Sequence, residues 1–200
     1  DNSGMITEAD RTIIGNANPK LYGGLTNNFT WKGFDLSVFL NFSIGNKIYG
    51  ANQMYYTKFN NRWRNTLKDK ALDRFTVMND KGEYIFNDPE QLAAVNKDRH
   101  YVSIDGSSNL SFHSGYVENG SFLKINNISL GYTLPKSLVT KIKLSNVRFY
   151  ATGYNLHTFT KYSGYDPEVN TCANNGLTPS IDWGAYPSAI SVVFGANISF

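Results

Sequence analysis

Residues 190–200 constrain the fold of this chain more than any other stretch. Ile190, Val192, Phe194, Ala196, Ile198 and Phe200 alternate without a miss against Ser191, Val193, Gly195, Asn197 and Ser199. A period of two is that of a β-strand, whose successive side chains point to opposite faces. The apolar phase carries no charge, and the other phase is mostly small or polar. Such a strand either covers a protein core or separates lipid from a wet interior.

Four further segments carry the same period. Leu36, Val38, Leu40, Phe42 and Ile44 share one phase, with Ser37, Asn41 and Ser43 opposite and Phe39 as the exception. Before them, Leu21, Leu25, Phe29 and Trp31 share a phase that Asn27 interrupts. Lys32-Gly33-Phe34-Asp35 between the two predicts a tight hairpin, with Gly33 able to take positive φ. From Ser121 to Leu134 the alternation slips at Asn126-Asn127, which predicts a β-bulge. Val147, Phe149, Ala151 and Gly153 then alternate with Arg148, Tyr150, Thr152 and Tyr154. The expected strands are therefore about 21–31, 35–45, 121–134, 146–158 and 188–200, paired as one antiparallel meander.

Short and long connections alternate: 32–35 is short, 45–120 very long, 135–145 moderate and 159–187 long. A helical turn is predicted for Lys136 to Ile142. Within the longest connection, Met54, Tyr55, Phe59, Trp63, Leu67, Leu72 and Phe75 have rough helical spacing. Asp88-Pro89-Glu90 reads as cap, first helical residue and first-turn acid of a helix through Ala94. Charged residues are 18% of the chain, below the ~25% usual for soluble proteins. A net charge of +3 gives no reason to expect nucleic acid. No run approaches the ~18 apolar residues of a membrane helix, which leaves a β-barrel open. The single cysteine, Cys172, excludes an internal disulfide.

Alternation alone admits both a transmembrane barrel and a soluble carbohydrate-binding β-sandwich or adhesin module. The rhythm of connections fits a barrel with short periplasmic turns and long outer loops. So does an alternating strand that closes on the aromatic Phe200. Five strands cannot close a barrel, since the smallest have about eight, so this reading makes the chain the last part of a larger one.

Six ordered motifs resemble one family: Tyr-Gly-Gly-Leu (22–25), Lys-Gly-Phe-Asp-Leu (32–36), Phe-Leu-Lys-Ile-Asn-Asn-Ile-Ser-Leu-Gly-Tyr-Thr-Leu-Pro (122–135), Val-Arg-Phe-Tyr-Ala-Thr-Gly-Tyr-Asn-Leu (147–156), Thr-Lys-Tyr-Ser-Gly-Tyr-Asp-Pro-Glu-Val (160–169) and Phe-Gly-Ala-Asn-Ile-Ser-Phe (194–200). They resemble the carboxy-terminal part of the SusC/RagA-like TonB-dependent outer-membrane transporters of the Bacteroidetes. The resemblance implies an all-β barrel of about 22 strands, of which this chain supplies the last five. It implies import of oligosaccharides or peptides driven through TonB, with a SusD-like lipoprotein as partner and outer-membrane lipid around the wall. The family's plug, TonB box and amino-terminal domain have no counterpart in these residues. Asp1, Ser3, Thr7 and Asp10 resemble the tail of the family's calcium-loop pattern, with a Ser where an acid is expected.

No cofactor is expected and no catalytic constellation emerges. Cys172 has no neighbouring base, and His100, His113 and His157 lack metal-ligand spacing. Asp166, Glu168 and Asp182 are the residues from which a carboxylate pair would have to come, yet Asp166 belongs to a Tyr-Asp-Pro-Glu turn. Trp183, Tyr165 and Trp63 are the candidate substrate or partner contacts. Tyr162 and Tyr186 are expected in an interfacial aromatic girdle. Phe200, Ile198 and Phe194 are the candidate barrel-assembly signal.

Overall fold

The computed structural model describes residues 11–57, 65–101 and 113–200. They fall into two units: residues up to Tyr49 together with Val117–Phe200, and Gly50–Tyr116. In chain order the first unit holds β1 (Leu21–Trp31), β2 (Phe34–Ile44), β3 (Lys47–Tyr49), β4 (Val117–Asn119), β5 (Phe122–Thr133), β6 (Asn146–Thr160) and β7 (Ser191–Ser199). Five of these form one antiparallel sheet in the order β1-β2-β5-β6-β7. This is the expected meander, with the β3–β4 pair set into its longest connection.

Register carries the alternation across the sheet. Asn27, Val38, Ile128, Gly153 and Val192 stand in one paired row. The adjacent row is Asn28, Ser37, Ser129, Thr152 and Val193. Paired residues share a face, so the apolar phases of all five strands coincide. The β1–β2 loop is Lys32-Gly33, both at positive φ (46° and 89°), the signature of a type I′ turn. At the same end, Lys136–Val139 forms α4, counted after three helices of the second unit, and a 3-10 turn follows over Thr140–Ile142. Lys143, at φ 57°, ends that turn.

The slip expected at Asn126-Asn127 is present: Phe39 pairs with Asn127 but Leu40 with Ile125, leaving Asn126 as the extra residue. The irregularity continues into β6, where Ile125 pairs with His157 and Asn127 with Tyr154. Asn155 sits there at φ 53° and its amide donates to the Ala189 carbonyl at 3.0 Å. Asn tolerates this left-handed conformation better than most residues.

At several positions burial runs opposite to that of a water-soluble sheet, although Val147 on the apolar phase is buried. On the apolar phase Leu25, Phe29 and Phe194 are 55%, 59% and 79% exposed, while on the polar phase Lys124 and Thr152 are 3% and 8% exposed. The sandwich reading required a second sheet over the apolar face. Among the described residues the other sheet has only two strands of three residues each.

The second unit is helical and irregular. It contains α1 (Ala51–Thr57), α2 (Lys68–Leu72) and α3 (Pro89–Asn96). In α1, Ala51, Met54 and Thr57 are buried, and the Thr57 hydroxyl meets the Tyr116 hydroxyl at 2.6 Å. The helical spacing read across 52–75 thus resolves into α1 and α2, with residues 58–64 outside the described residues. Helix α3 starts where the Asp88 carboxylate accepts from the Gln91 N–H at 3.0 Å, and it runs two residues past Ala94. Asn96 ends it by bonding both the N–H and the carbonyl of Thr76.

Candidate functional site

The polar face of the sheet and the loop between β6 and β7 form the site. The sheet contributes a band of neutral donors and acceptors. Thr152 donates to the Ser129 hydroxyl at 2.8 Å across their paired strands, which satisfies a buried threonine.

Near the short-turn end, Arg148 of β6 reaches over β5 to Asp35 of β2. Its Nε donates to Oδ1 at 2.8 Å and its Nη2 to Oδ2 at 2.5 Å, a forked, charge-assisted contact. Asp35 pairs in register with Gly131, and a Cβ on Gly131 would collide with both the carboxylate and the guanidinium. Glycine at 131 therefore opens the path for the ion pair. The guanidinium also lies 5.2 Å from the Tyr150 ring centre, and that ring passes over Gly195 of β7. Side chains thus tie β2, β6 and β7 together across their polar face.

At the long-loop end the loop folds back onto the sheet. Glu168 accepts from the Lys124 ammonium at 2.5 Å and from the Asn41 amide at 3.0 Å. Lys124 and Asn41 are register partners on β5 and β2. One carboxylate therefore caps a cross-strand pair. Asp166 accepts from the Ser188 N–H at 3.2 Å, the Ser188 hydroxyl at 3.0 Å and the Glu168 N–H at 3.0 Å. Burial works to raise the Asp166 pKa, but these donors and the nearby Lys124 charge outweigh it and hold the carboxyl below its ordinary value. The rest of the loop rests on the β3–β4 pair. Ser163 bonds the Glu118 carboxylate, and Tyr49 exchanges backbone hydrogen bonds with Ser180 and Asp182.

Ile48, Tyr162 and Val169 are buried together there, with Ala185 packed against them. The Tyr162 hydroxyl donates to Asp182 at 2.5 Å, and Asp182 also accepts from the Gly184 N–H at 2.6 Å. Burial first, then the bond to Asp182 and the charges of Asp182 and Glu118, push the Tyr162 phenol well above its ordinary pKa.

This corrects the expected place of Tyr162: at 6% exposure it is a core residue of the loop rather than a member of a girdle. Tyr186 is 92% exposed. Asp166, Glu168 and Asp182 each serve a separate partner, Ser188, Lys124 and Tyr162 respectively. Of the candidate contacts, Tyr165 is 79% and Trp183 51% exposed in this loop. The Asp166–Ser188 bonds bring the chain beside Tyr165 to the chain beside Tyr186. Trp63 lies outside the described residues, as do Asp1, Ser3, Thr7 and Asp10. Phe194 and Ile198 lie on the exposed apolar phase of β7, and Phe200 follows that strand, also exposed. Sequence reading placed Lys124 and Asp35 in the strands but did not find their partners. The only signal was a charge within an otherwise neutral polar phase.

No protein-family model matches the chain. It is 32% identical over its whole length to TonB-dependent receptor P3 of Formosa agariphila, and covers 18% of that protein. It is 28% identical over 99% of its length to TonB-dependent receptor SusC of Bacteroides thetaiotaomicron, and covers 17% of it. The chain thus spans less than a fifth of these relatives. Among solved structures, the RagAB peptide importer in its closed-closed state matches 94% of the chain with a TM-score of 0.71 at 25% identity. The open-open state matches 94% with a TM-score of 0.69 at 27% identity, and in each case 18% of the solved chain is covered. The chain is therefore SusC/RagA-like over nearly its whole length: its sequence follows the TonB-dependent receptors, and its five-stranded meander follows part of the RagAB importer.

Proposed function

We propose that these residues are the carboxy-terminal wall segment, with its outer loops, of a TonB-dependent outer-membrane importer of oligosaccharides or peptides. The pattern of burial carries the proposal: a charge-free apolar phase whose large side chains are mostly exposed, beside a polar phase holding a buried ammonium. Lipid on one side and a wet lumen on the other account for both. No helix among the described residues is long and apolar enough to cross a membrane, so strands would do the crossing. A barrel of about 22 strands supplies the partners for the open edges of β1 and β7. The likeness to SusC and RagAB supports a SusD-like lipoprotein partner and coupling to TonB through parts of the protein beyond these residues. In this reading Tyr165 and Trp183, with Trp63, meet cargo or the lipoprotein. Phe194, Ile198 and Phe200 face lipid and serve barrel assembly.

The test is cysteine accessibility in whole cells, with Cys172 replaced by Ser. A hydrophilic maleimide should label Ser37→Cys and Ser129→Cys on the polar phase, and spare Val38→Cys and Ile128→Cys beside them. Equal labelling at both phases, or recovery of the protein in the soluble fraction, would refute the proposal.

A further inference from the structure

We propose that Lys124 is an anion subsite whose resident occupant is the chain's own Glu168. A carboxylate-bearing ligand entering the adjoining cleft takes Glu168's place and frees the Asp166–Asn170 limb of the outer loop. The proposal rests on the transporter reading, which makes the polar face a solvent-filled lumen.

The two halves of the contact differ in burial. The Lys124 side chain is 4% exposed and the Glu168 side chain 36%. The Glu168 carboxylate can turn into water, whereas the ammonium would stay behind without a counter-charge, and drawing the limb away also pulls Val169 from its buried contacts with Ile48 and Tyr162. An uncompensated buried charge is strongly unfavourable, so the limb stays closed in the absence of ligand. A second carboxylate at Lys124 removes that penalty. Asn41 presents its amide to the same position, and Asn126 bonds the Asn41 oxygen at 3.4 Å. A cationic group and an amide donor therefore already converge on one carboxylate site.

Access is built in. A cleft of about 520 Å³, lined by Tyr22, Asn41, Asn46, Pro167, Glu168 and Asn170 among others, reaches the Glu168 and Asn41 side of the contact, while Lys124 is not on its wall and is reached only when Glu168 moves. The limb that would move is short. Pro167 limits its backbone freedom, the Val169 N–H bonds the Asp166 carbonyl at 3.2 Å, and Asp166 holds Ser188. A ligand shifts an equilibrium only by its differential affinity for the two states. Here that difference is the Lys124 site, blocked in one state and vacant in the other.

The test uses the complete receptor that carries this chain, purified in detergent. Trigalacturonate is compared with neutral galactotriose, and the peptide Gly-Glu-Gly with Gly-Gln-Gly, by hydrogen exchange at the Val169 and Ser188 amides. At least one acidic probe should raise exchange there about tenfold, and its neutral counterpart should leave it unchanged. Whichever acid acts identifies the source of the carboxylate, sugar or peptide. Glu168→Gln should bind that acid about tenfold more tightly, because the resident competitor has lost its charge. Lys124→Gln should abolish the response. Neutral probes acting equally, neither acid acting, or unchanged acid affinity in Glu168→Gln would each overturn the proposal. Glu168 is partly exposed, so its variant decides the matter even if Lys124→Gln does not fold. Failure of the transporter reading shows separately, in the cysteine-labelling pattern.

Discussion

Ile128→Arg places the transporter reading under a quantitative test. Ile128 lies near the middle of β5, with Val38 and Gly153 paired on either side, on the face that carries no charge. If that face meets lipid, an arginine there lies close to mid-bilayer, where a cation costs about 2–4 kcal/mol in a β-barrel. That is a drop of about 30- to 700-fold in the folding equilibrium, at tenfold per 1.4 kcal/mol. If the face meets water instead, replacing this half-buried side chain costs about 1 kcal/mol, the centre of the range for single substitutions. Ser37→Arg is the control, since Ser37 stands one row away on the polar phase. In a wet lumen it should cost under about 1 kcal/mol. The assay is denaturant unfolding of the complete barrel in lipid vesicles, followed by tryptophan emission. Equal losses in both variants, or a loss of about 1 kcal/mol or less for Ile128→Arg, would refute the assignment of faces.

Three further outcomes follow from the site. Gly131→Ala should cost about 1–3 kcal/mol, because its methyl group occupies the path of the Asp35–Arg148 pair. Combined with Asp35→Asn it should be clearly less than additive in the same unfolding assay, since both changes disrupt one contact. Tyr162→Phe removes the donor to buried Asp182 and should weaken the loop by about 1–3 kcal/mol, read as faster exchange of the Asp182 and Ala185 amides with the strand amides unchanged. Asp166 is held below its ordinary pKa of 3.8, so its contribution to loop stability is complete above that value and is lost as pH falls through the depressed folded value. The protection factor of the Ser188 amide, corrected for intrinsic exchange, should hold at pH 5–7 and fall as pH drops below the ordinary carboxylate range, and Asp166→Asn should remove that acid dependence.

The strands were legible in the sequence because their information is local. A period of two survives in any sheet with unlike faces, so the phase of Leu36 to Ile44 and of Ile190 to Phe200 was visible without coordinates. The slip at Asn126-Asn127 appeared as a change of phase within one strand, and Lys32-Gly33 as a turn chemistry. The cap at Asp88 is equally local, an acceptor three residues before its donor. At Asn155 the phase also breaks, with Asn155 on the apolar side and Leu156 on the polar one, but the left-handed backbone there is supported by Ala189, 34 residues away.

The contacts that make the site depend on register and loop path, which no local pattern encodes. Arg148 reaches Asp35 across 113 residues because β2 and β6 both pair with β5, and because Gly131 leaves the space between them open. Glu168 meets Lys124 across 44 residues because the loop turns back over the polar face. Tyr162 has the composition of a girdle residue, yet the same turn buries it against Ile48 and Val169. Sequence alone determined which face of each strand is apolar, since alternation is a property of the strand itself. Tertiary structure alone decided which charges neutralise one another, since a buried ammonium and its carboxylate are brought together by the path of the chain between them.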